Sequence, residues 1–171
     1  MNAPSQPRQD AAPGDLKLDA YLPYRLSVAS NAVSGLIARA YEDRFGLSIP
    51  QWRLICVLAE DGALTQAAIV TRTGMDKVTV SRAAQGLSKR RLVQRADHTS
   101  DGRSHLLSLS LEGARLHAEI SPLALAYEAA LIAGLAPSEV ALLKRLLMRL
   151  QGAANALGGD TPPVSSPGLG S

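Results

Sequence analysis

Between Thr65 and His105 the chain carries eight basic residues, Arg72, Lys77, Arg82, Lys89, Arg90, Arg91, Arg95 and Arg103, against three acids, Asp76, Asp97 and Asp101. That window stands at +5 in a chain whose net charge is +3, so the remaining residues are slightly acidic. Cations concentrated on one stretch make a surface suited to a polyanion, although an ordinary solvated face carries the same residue types. Spacing adds to composition. Set at about 100° intervals around a helix, Val78, Arg82, Gln85 and Lys89 fall on one side, and Val80, Ala83, Ala84 and Leu87 on the other. The polar side offers groups for a nucleic-acid duplex. Arg82 can pair with guanine O6/N7 or with phosphate, and Val78 suits a thymine methyl. Thr79, Ser81 and Gln85 supply shorter donors and acceptors. Arg72, Lys77 and Lys89 are assigned to phosphates, which position a protein without reading sequence.

Other chemistries find less support. The chain shows no Gly-rich phosphate loop, no Ser/His/Asp pattern and no clustered carboxylates, so no catalytic centre and no cofactor are expected. Cys56 could sense oxidants, but it lies within the apolar run Leu54-Ile-Cys-Val-Leu58, where burial raises a thiol pKa and blunts its reactivity. His98, His105 and His117 could bind zinc, but a site needs roughly three or four convergent ligands, and no cysteine or tight histidine spacing accompanies them. Wing polarity and core packing account for all three, and no metal is expected. A lone cysteine cannot form an intramolecular disulfide, which fits a reducing compartment. No apolar run approaches the roughly 18–20 residues of a membrane span, and Met1 to Asp15 lacks the apolar segment of a signal peptide. The expectation is a cytoplasmic protein with no membrane partner. With 171 residues, 46% of them hydrophobic, one folded domain with a proper core is expected.

The elements that must hold the basic face follow from periodicity. Apolar residues at Leu22, Leu26, Ala29, Val33, Leu36, Ile37 and Ala40 predict a long amphipathic helix ending near Gly46. Ser48-Ile-Pro-Gln51 reads as a capping box opening a second helix, to Asp61-Gly62. Thr65 caps a short helix, Gln66 to Thr73, broken at Gly74, and Asp76 opens another to about Arg90. Two short helices so spaced, the second basic outside, read as a helix-turn-helix. The period then changes. Leu92 to Ala96 and Ser104 to Leu109 predict a hairpin around the turn-rich tip Asp97–Gly102, which forms a wing. Ser110 caps a long helix from Leu111 that Pro122 should kink or divide, and Pro137, Ser138 and Glu139 open the last helix. The expected fold is mainly α with a small β-wing. Residues 1–15 and 158–171 read as unstructured tails, 47–110 as the winged helix-turn-helix, and 16–46 with 111–157 as helical dimerisation segments. Long first and last helices need somewhere to bury their apolar stripes, and a second copy of the chain is the simplest provider.

Several stretches together resemble the MarR family of regulators. They are Leu64 to Gly74, Asp76-Lys-Val-Thr-Val-Ser-Arg82, Arg91-Leu-Val-Gln-Arg95, the wing Asp97-His-Thr-Ser-Asp-Gly-Arg103, and Leu107-Ser-Leu-Ser-Leu-Glu-Gly113. The resemblance implies a homodimeric repressor on a palindromic double-stranded DNA operator. Each recognition helix would enter a major groove and each wing a flanking minor groove, where Arg103 is the inserted arginine and Asp101 its brace. It also implies an effector pocket lined by the first, second and fifth helices. Tyr24, Arg25, Ser30, Asn31, Trp52, Arg53 and His117 are the candidates there, and an aromatic ring with arginines suits a small aromatic carboxylate. The segment Tyr21 to Asn31 is similar to a subgroup that responds to hydroxycinnamoyl-CoA thioesters, for which Arg25, Arg39, Arg44 and Arg53 would meet the CoA phosphates. Helix packing and dimer contacts explain the same residues. Two positions depart from the family pattern. Gly86 stands in the recognition helix where a long polar residue is usual, at a cost of about 1 kcal/mol in helix propensity. Gly102 replaces the first of two wing arginines, which puts one minor-groove or phosphate contact in doubt. Outside the ligand-responsive reading stand a redox or metal sensor of the same fold and a winged-helix module that contacts only proteins.

Overall fold

Helix ends in this chain coincide with local capping signals. The computed structural model describes residues 16–97 and 105–159. A short 3-10 turn at Leu18–Ala20, not anticipated from the sequence, leads into α1 (Leu22–Phe45). Helix α1 stops at Gly46, whose φ of 61° is a left-handed conformation in which glycine has no Cβ to clash. Helix α2 (Ile49–Asp61) opens in the expected capping box, where the Ser48 N–H donates to Gln51 Oε1 at 3.0 Å. Strand β1 (Leu64–Thr65) runs directly into α3 (Gln66–Thr73), whose cap Thr65 Oγ1 accepts the Ala68 N–H at 3.2 Å. Helix α4 (Lys77–Lys89) follows Gly74, then β2 (Val93–Asp97), β3 (His105–Leu109), α5 (Leu111–Ile132) and α6 (Pro137–Gly159). The chain divides into two compact units after Pro122.

In the first unit the core gathers around α2 and α4. Leu54, Ile55 and Leu58 of α2 are buried together with Val80, Ala83, Ala84 and Leu87 of α4, Ile69 of α3 and Leu107 of β3. Burying each of the larger aliphatic side chains contributes about 2 kcal/mol. The sheet is antiparallel in the order β1-β3-β2. Strand β2 pairs with β3 from Val93↔Leu109 to Asp97↔His105, and β1 covers the other edge of β3 through Leu64↔Leu107 and Thr65↔Leu106. The hairpin was legible in the sequence; β1 was not, because two residues are too few to show a period.

The joint between helix-turn-helix and wing is built from main-chain geometry. Arg91 takes a φ of 59° after α4, the Leu92 N–H bonds to the Leu87 carbonyl at 3.0 Å, and the Arg91 N–H to that of Ser88 at 3.0 Å. This is a Schellman closure with arginine where glycine is usual. It explains why β2 starts at Val93 rather than Leu92, whose N–H is taken by the helix end. Ser110 then locks the return of the chain. Its N–H bonds to the Leu92 carbonyl at 3.0 Å, its hydroxyl donates to the Arg91 carbonyl at 2.7 Å, and its own Oγ accepts the Gly113 N–H at 3.0 Å. A Cβ on Gly113 would run into the Leu92 carbonyl oxygen and press on Leu109.

Two expectations change. Pro122 does not divide α5, which is one helix from Leu111 to Ile132. Just before it, the Ser121 hydroxyl donates to the His117 carbonyl at 2.7 Å, a bond back to the preceding turn. Helix α6 continues to Gly159, past the boundary expected at 157. The segment 1–15 and the rest of the C-terminal one lie outside the described residues. In the second unit, the Ala136 N–H donates to Glu139 Oε2 at 2.7 Å to open α6, and Lys144 pairs with Glu128 at 2.9 Å. Residues 141–158 of α6 are exposed throughout, including Leu143, Leu146, Leu147 and Leu150. Among the described residues no single helix is long and apolar enough to cross a membrane.

Gly113→Ala tests the joint. The obstructing atom is main chain and cannot step aside, so we expect a loss of about 3 kcal/mol and a fall in Tm of roughly 10 °C by calorimetry. Ala114→Gly, one residue along on an exposed position, should cost only about 1 kcal/mol.

Candidate nucleic-acid interface

The outward side of α4 is set by what its inner side buries. With Val80, Ala83, Ala84 and Leu87 turned inward, Lys77, Val78, Arg82, Gln85 and Lys89 are exposed. Lys77, Val78, Ser81, Arg82 and Gln85 line one shallow depression of about 400 Å³. Asp76 fixes the start of this helix by accepting the Thr79 N–H at 2.8 Å and the Thr79 hydroxyl at 2.6 Å. Those two bonds hold the Asp76 carboxyl below the usual carboxylate range. Thr79 is therefore half-buried and occupied by capping, whereas Ser81 and Gln85 share only a long contact of 3.4 Å.

The basic residues separate into two sets. Arg72 sits at the end of α3 and pairs with Asp61 at 2.9 Å and Glu60 at 3.2 Å. Arg90 donates to the Gly46 carbonyl at 2.7 Å and the Phe45 carbonyl at 2.9 Å, so it caps the C-terminus of α1. The second set is free: among the described residues, Lys77, Arg82 and Lys89 have no ion pair and no hydrogen-bond partner. An arginine with no carboxylate partner among the described residues, beside an exposed valine, is a surface open to an anionic partner. Asp101, Arg103 and His98 lie outside the described residues.

Gly86 gains a reason here. It faces Gln51, and a Cβ would come within 2.5 Å of Gln51 Nε2. The long polar side chain usual at this position would displace the residue that caps α2. The glycine keeps α2 and α4 close.

The candidate effector residues are not brought into one cavity. Trp52 is buried and stacks on His117 at 5.6 Å between centroids, and Tyr41 is tilted against it at 5.2 Å. Arg25, Ser30, Asn31 and Arg53 are exposed, and Tyr24 borders a separate depression with Lys17 and Asp19. Arg44 lies over the Phe45 ring at 5.4 Å, and Arg39 is exposed near Gly35. A cavity of about 400 Å³ opens instead where the end of α2 (Leu58, Ala59) meets Gly62, the base of β3 (Ser108, Leu109) and the first turns of α5 (Ala114, His117). Ser108 was not among the expected ligand residues. Its place at the foot of a strand, opposite a helix, has no sequence signature. Cys56 is half-buried, and burial, with a smaller contribution from the Glu60 carboxylate, pushes its thiol up to about 11.

Comparison with known proteins agrees with this architecture. Residues 45–104 match the model of the MarR family. Two mycobacterial HTH-type transcriptional regulators, from Mycobacterium bovis and Mycobacterium tuberculosis, are each 34% identical over 70 residues, which is 41% of this chain and 49% of theirs. The chain thus spans about half the length of the curated relatives it matches. A probable transcriptional regulator from Pseudomonas aeruginosa is 33% identical, with 78% of this chain and 99% of that one covered at a TM-score of 0.67. A MarR/EmrR family regulator from Acinetobacter sp. ADP1 shares the fold at a TM-score of 0.77, 24% identical over 82% of this chain and 99% of that one. The family match falls on the helix-turn-helix and the wing, and the shared fold extends over most of the remaining helices; the chain belongs to the MarR family.

Proposed function

We propose that this chain is a DNA-binding transcriptional repressor that acts as a homodimer on an inverted-repeat operator and releases it when a small aromatic acid or its CoA thioester binds. The observation that carries the reading is the outward side of α4, where among the described residues Lys77, Arg82 and Lys89 have no counter-charge, while Arg72 pairs with Glu60 and Asp61 and Arg90 caps α1. Neutralising phosphates is the ordinary use of such a surface. Proteins of the same fold support both halves of the proposal. MepR of Staphylococcus aureus, with a TM-score of 0.69, was solved as a DNA complex, and the DNA binding of BpsR of Bordetella bronchiseptica, at 0.71, is regulated by 6-hydroxynicotinic acid. The exposed leucines of α6 support a second copy as the surface that covers them.

The effector enters through linkage. A ligand that favours a dimer with its recognition helices wrongly spaced lowers DNA affinity by its differential binding to the two states. The cavity of about 400 Å³ beside His117 has room for a single-ring acid, with Ser108 and the imidazole as polar anchors. It would hold only the acyl end of a thioester, so the CoA portion would lie along the surface.

Retention of operator-like DNA by the full chain, lost as salt rises, tests the central reading; no retention at low salt overturns it and favours a protein-contact module. Arg103→Ala should weaken binding and lower the slope of log K against log salt by about 1, and an unchanged slope removes the wing from the contact. Trp52 is the only tryptophan, and it stacks on His117, so a ligand in the cavity should change its fluorescence. His117→Ala should raise the Kd of an aromatic acid about tenfold. A thiol with a pKa near 11 is protonated at neutral pH and becomes thiolate only as pH rises toward that value. Alkylation of Cys56 by iodoacetamide should therefore be slow at pH 7 and speed up about tenfold per pH unit; fast reaction at pH 7 would reinstate a redox role.

A further inference from the structure

We infer that Val78 and Arg82 act as a pair that reads a thymine beside a guanine in each half-site, while Lys77 and Lys89 contact only phosphate. The inference rests on the DNA-binding reading above and assigns the base contacts within it. Val78 is 57% exposed on a side of α4 that is otherwise polar. A β-branched residue is not chosen there for helix propensity, and the core has no use for it. It stands one turn before Arg82, so the two side chains are neighbours and border the same depression.

The remaining residues on that side are weaker readers. The Thr79 hydroxyl is committed to Asp76 at 2.6 Å; Ser81 is half-buried, and Gln85, held only by a long 3.4 Å contact to Ser81, matches an adenine edge rather than guanine. The lysines are flexible point charges that match a phosphate better than a base edge. Arg82 is the one arginine on that side of α4, and among the described residues its planar fork has no partner. In the major groove only guanine offers two acceptors suited to that fork, and only thymine offers a methyl suited to valine. One helical turn rises about 5.4 Å and stacked bases about 3.4 Å, and the length of arginine covers the difference. The two targets are therefore adjacent base pairs or one step apart.

The test is a selection of binding sites from random duplex DNA by the full-length chain, followed by replacement of the selected thymine with deoxyuridine, which removes only the methyl. For the wild type, affinity should fall about fourfold, the weight of one methyl taken out of water. Val78→Ala should bind thymine and uracil sites equally, and the isosteric Val78→Thr, which keeps one methyl, should restore part of the preference. Arg82→Ala should relax the guanine preference about tenfold. Val78 is exposed, so these variants keep the fold, and circular dichroism checks that. Enriched DNA without a thymine–guanine pair, no uracil effect in the wild type, or the same effect in Val78→Ala each overturn this inference and leave the regulator reading intact. Failure to enrich any DNA at low salt overturns both.

Discussion

Everything the basic surface can do depends on how α4 rolls against α2. Val80, Ala83, Ala84 and Leu87 occupy one side of the recognition helix, and the small residues among them let it approach α2 closely. Gly86 continues that close approach, since a larger residue would collide with Gln51, which is itself engaged in opening α2. A rotation of α4 by one residue, about 100°, would expose Leu87 and bury Arg82 without a partner. The penalty for that alternative is several kcal/mol of lost burial and charge desolvation. One packing choice therefore fixes the roll of the helix and the direction in which Arg82 and Val78 point.

The wing is tied to this helix by rigid links rather than by a flexible loop. The left-handed Arg91, the Ser110 bonds to the Leu92 and Arg91 main chain, and the bare α-carbon of Gly113 all act at the same joint. Arg91 in this conformation costs about 1–3 kcal/mol, which the surrounding bonds offset. Under the proposed reading, in which a helix and a hairpin meet two grooves at once, a rigid joint helps because each degree of freedom frozen beforehand is not lost on binding.

Much of this was legible in the sequence, and the reason lies in period and capping chemistry. Helix α4 has four inward residues at spacings of three and four, so its two sides were separable before any coordinates. Gly46, Ser48, Thr65 and Asp76 mark helix ends through backbone hydrogen bonding that a sequence records directly. What could not be read was anything dependent on pairs distant along the chain. The strand β1, the use of Arg90 as a cap for α1 and of Arg72 as a partner for Glu60 and Asp61, and the Ser108 wall of the cavity all belong to that class. A count of positive charges treats Arg72, Arg82 and Arg90 alike. Only their neighbours distinguish a charge that is committed from one that is available.

The position of the cavity bears on how an effector would act. Its walls come from the end of α2, the base of β3 and the start of α5. Helix α2 is the support on which α4 packs, and β3 is the central strand of the wing sheet. Under the proposed reading, a ligand wedged among these three elements would act on the mounting of the DNA-binding surface and would touch none of Lys77, Val78 or Arg82. Coupling of about 1–3 kcal/mol, enough to change DNA affinity by about 5- to 150-fold, is the usual range for such linkage. It requires only that the occupied cavity hold these elements in a slightly different arrangement. His117 is well placed for this, because it borders the cavity on one side and stacks on the buried Trp52 on the other. A shift of the imidazole toward a ligand is then a shift of the ring against which the core of α2 is packed.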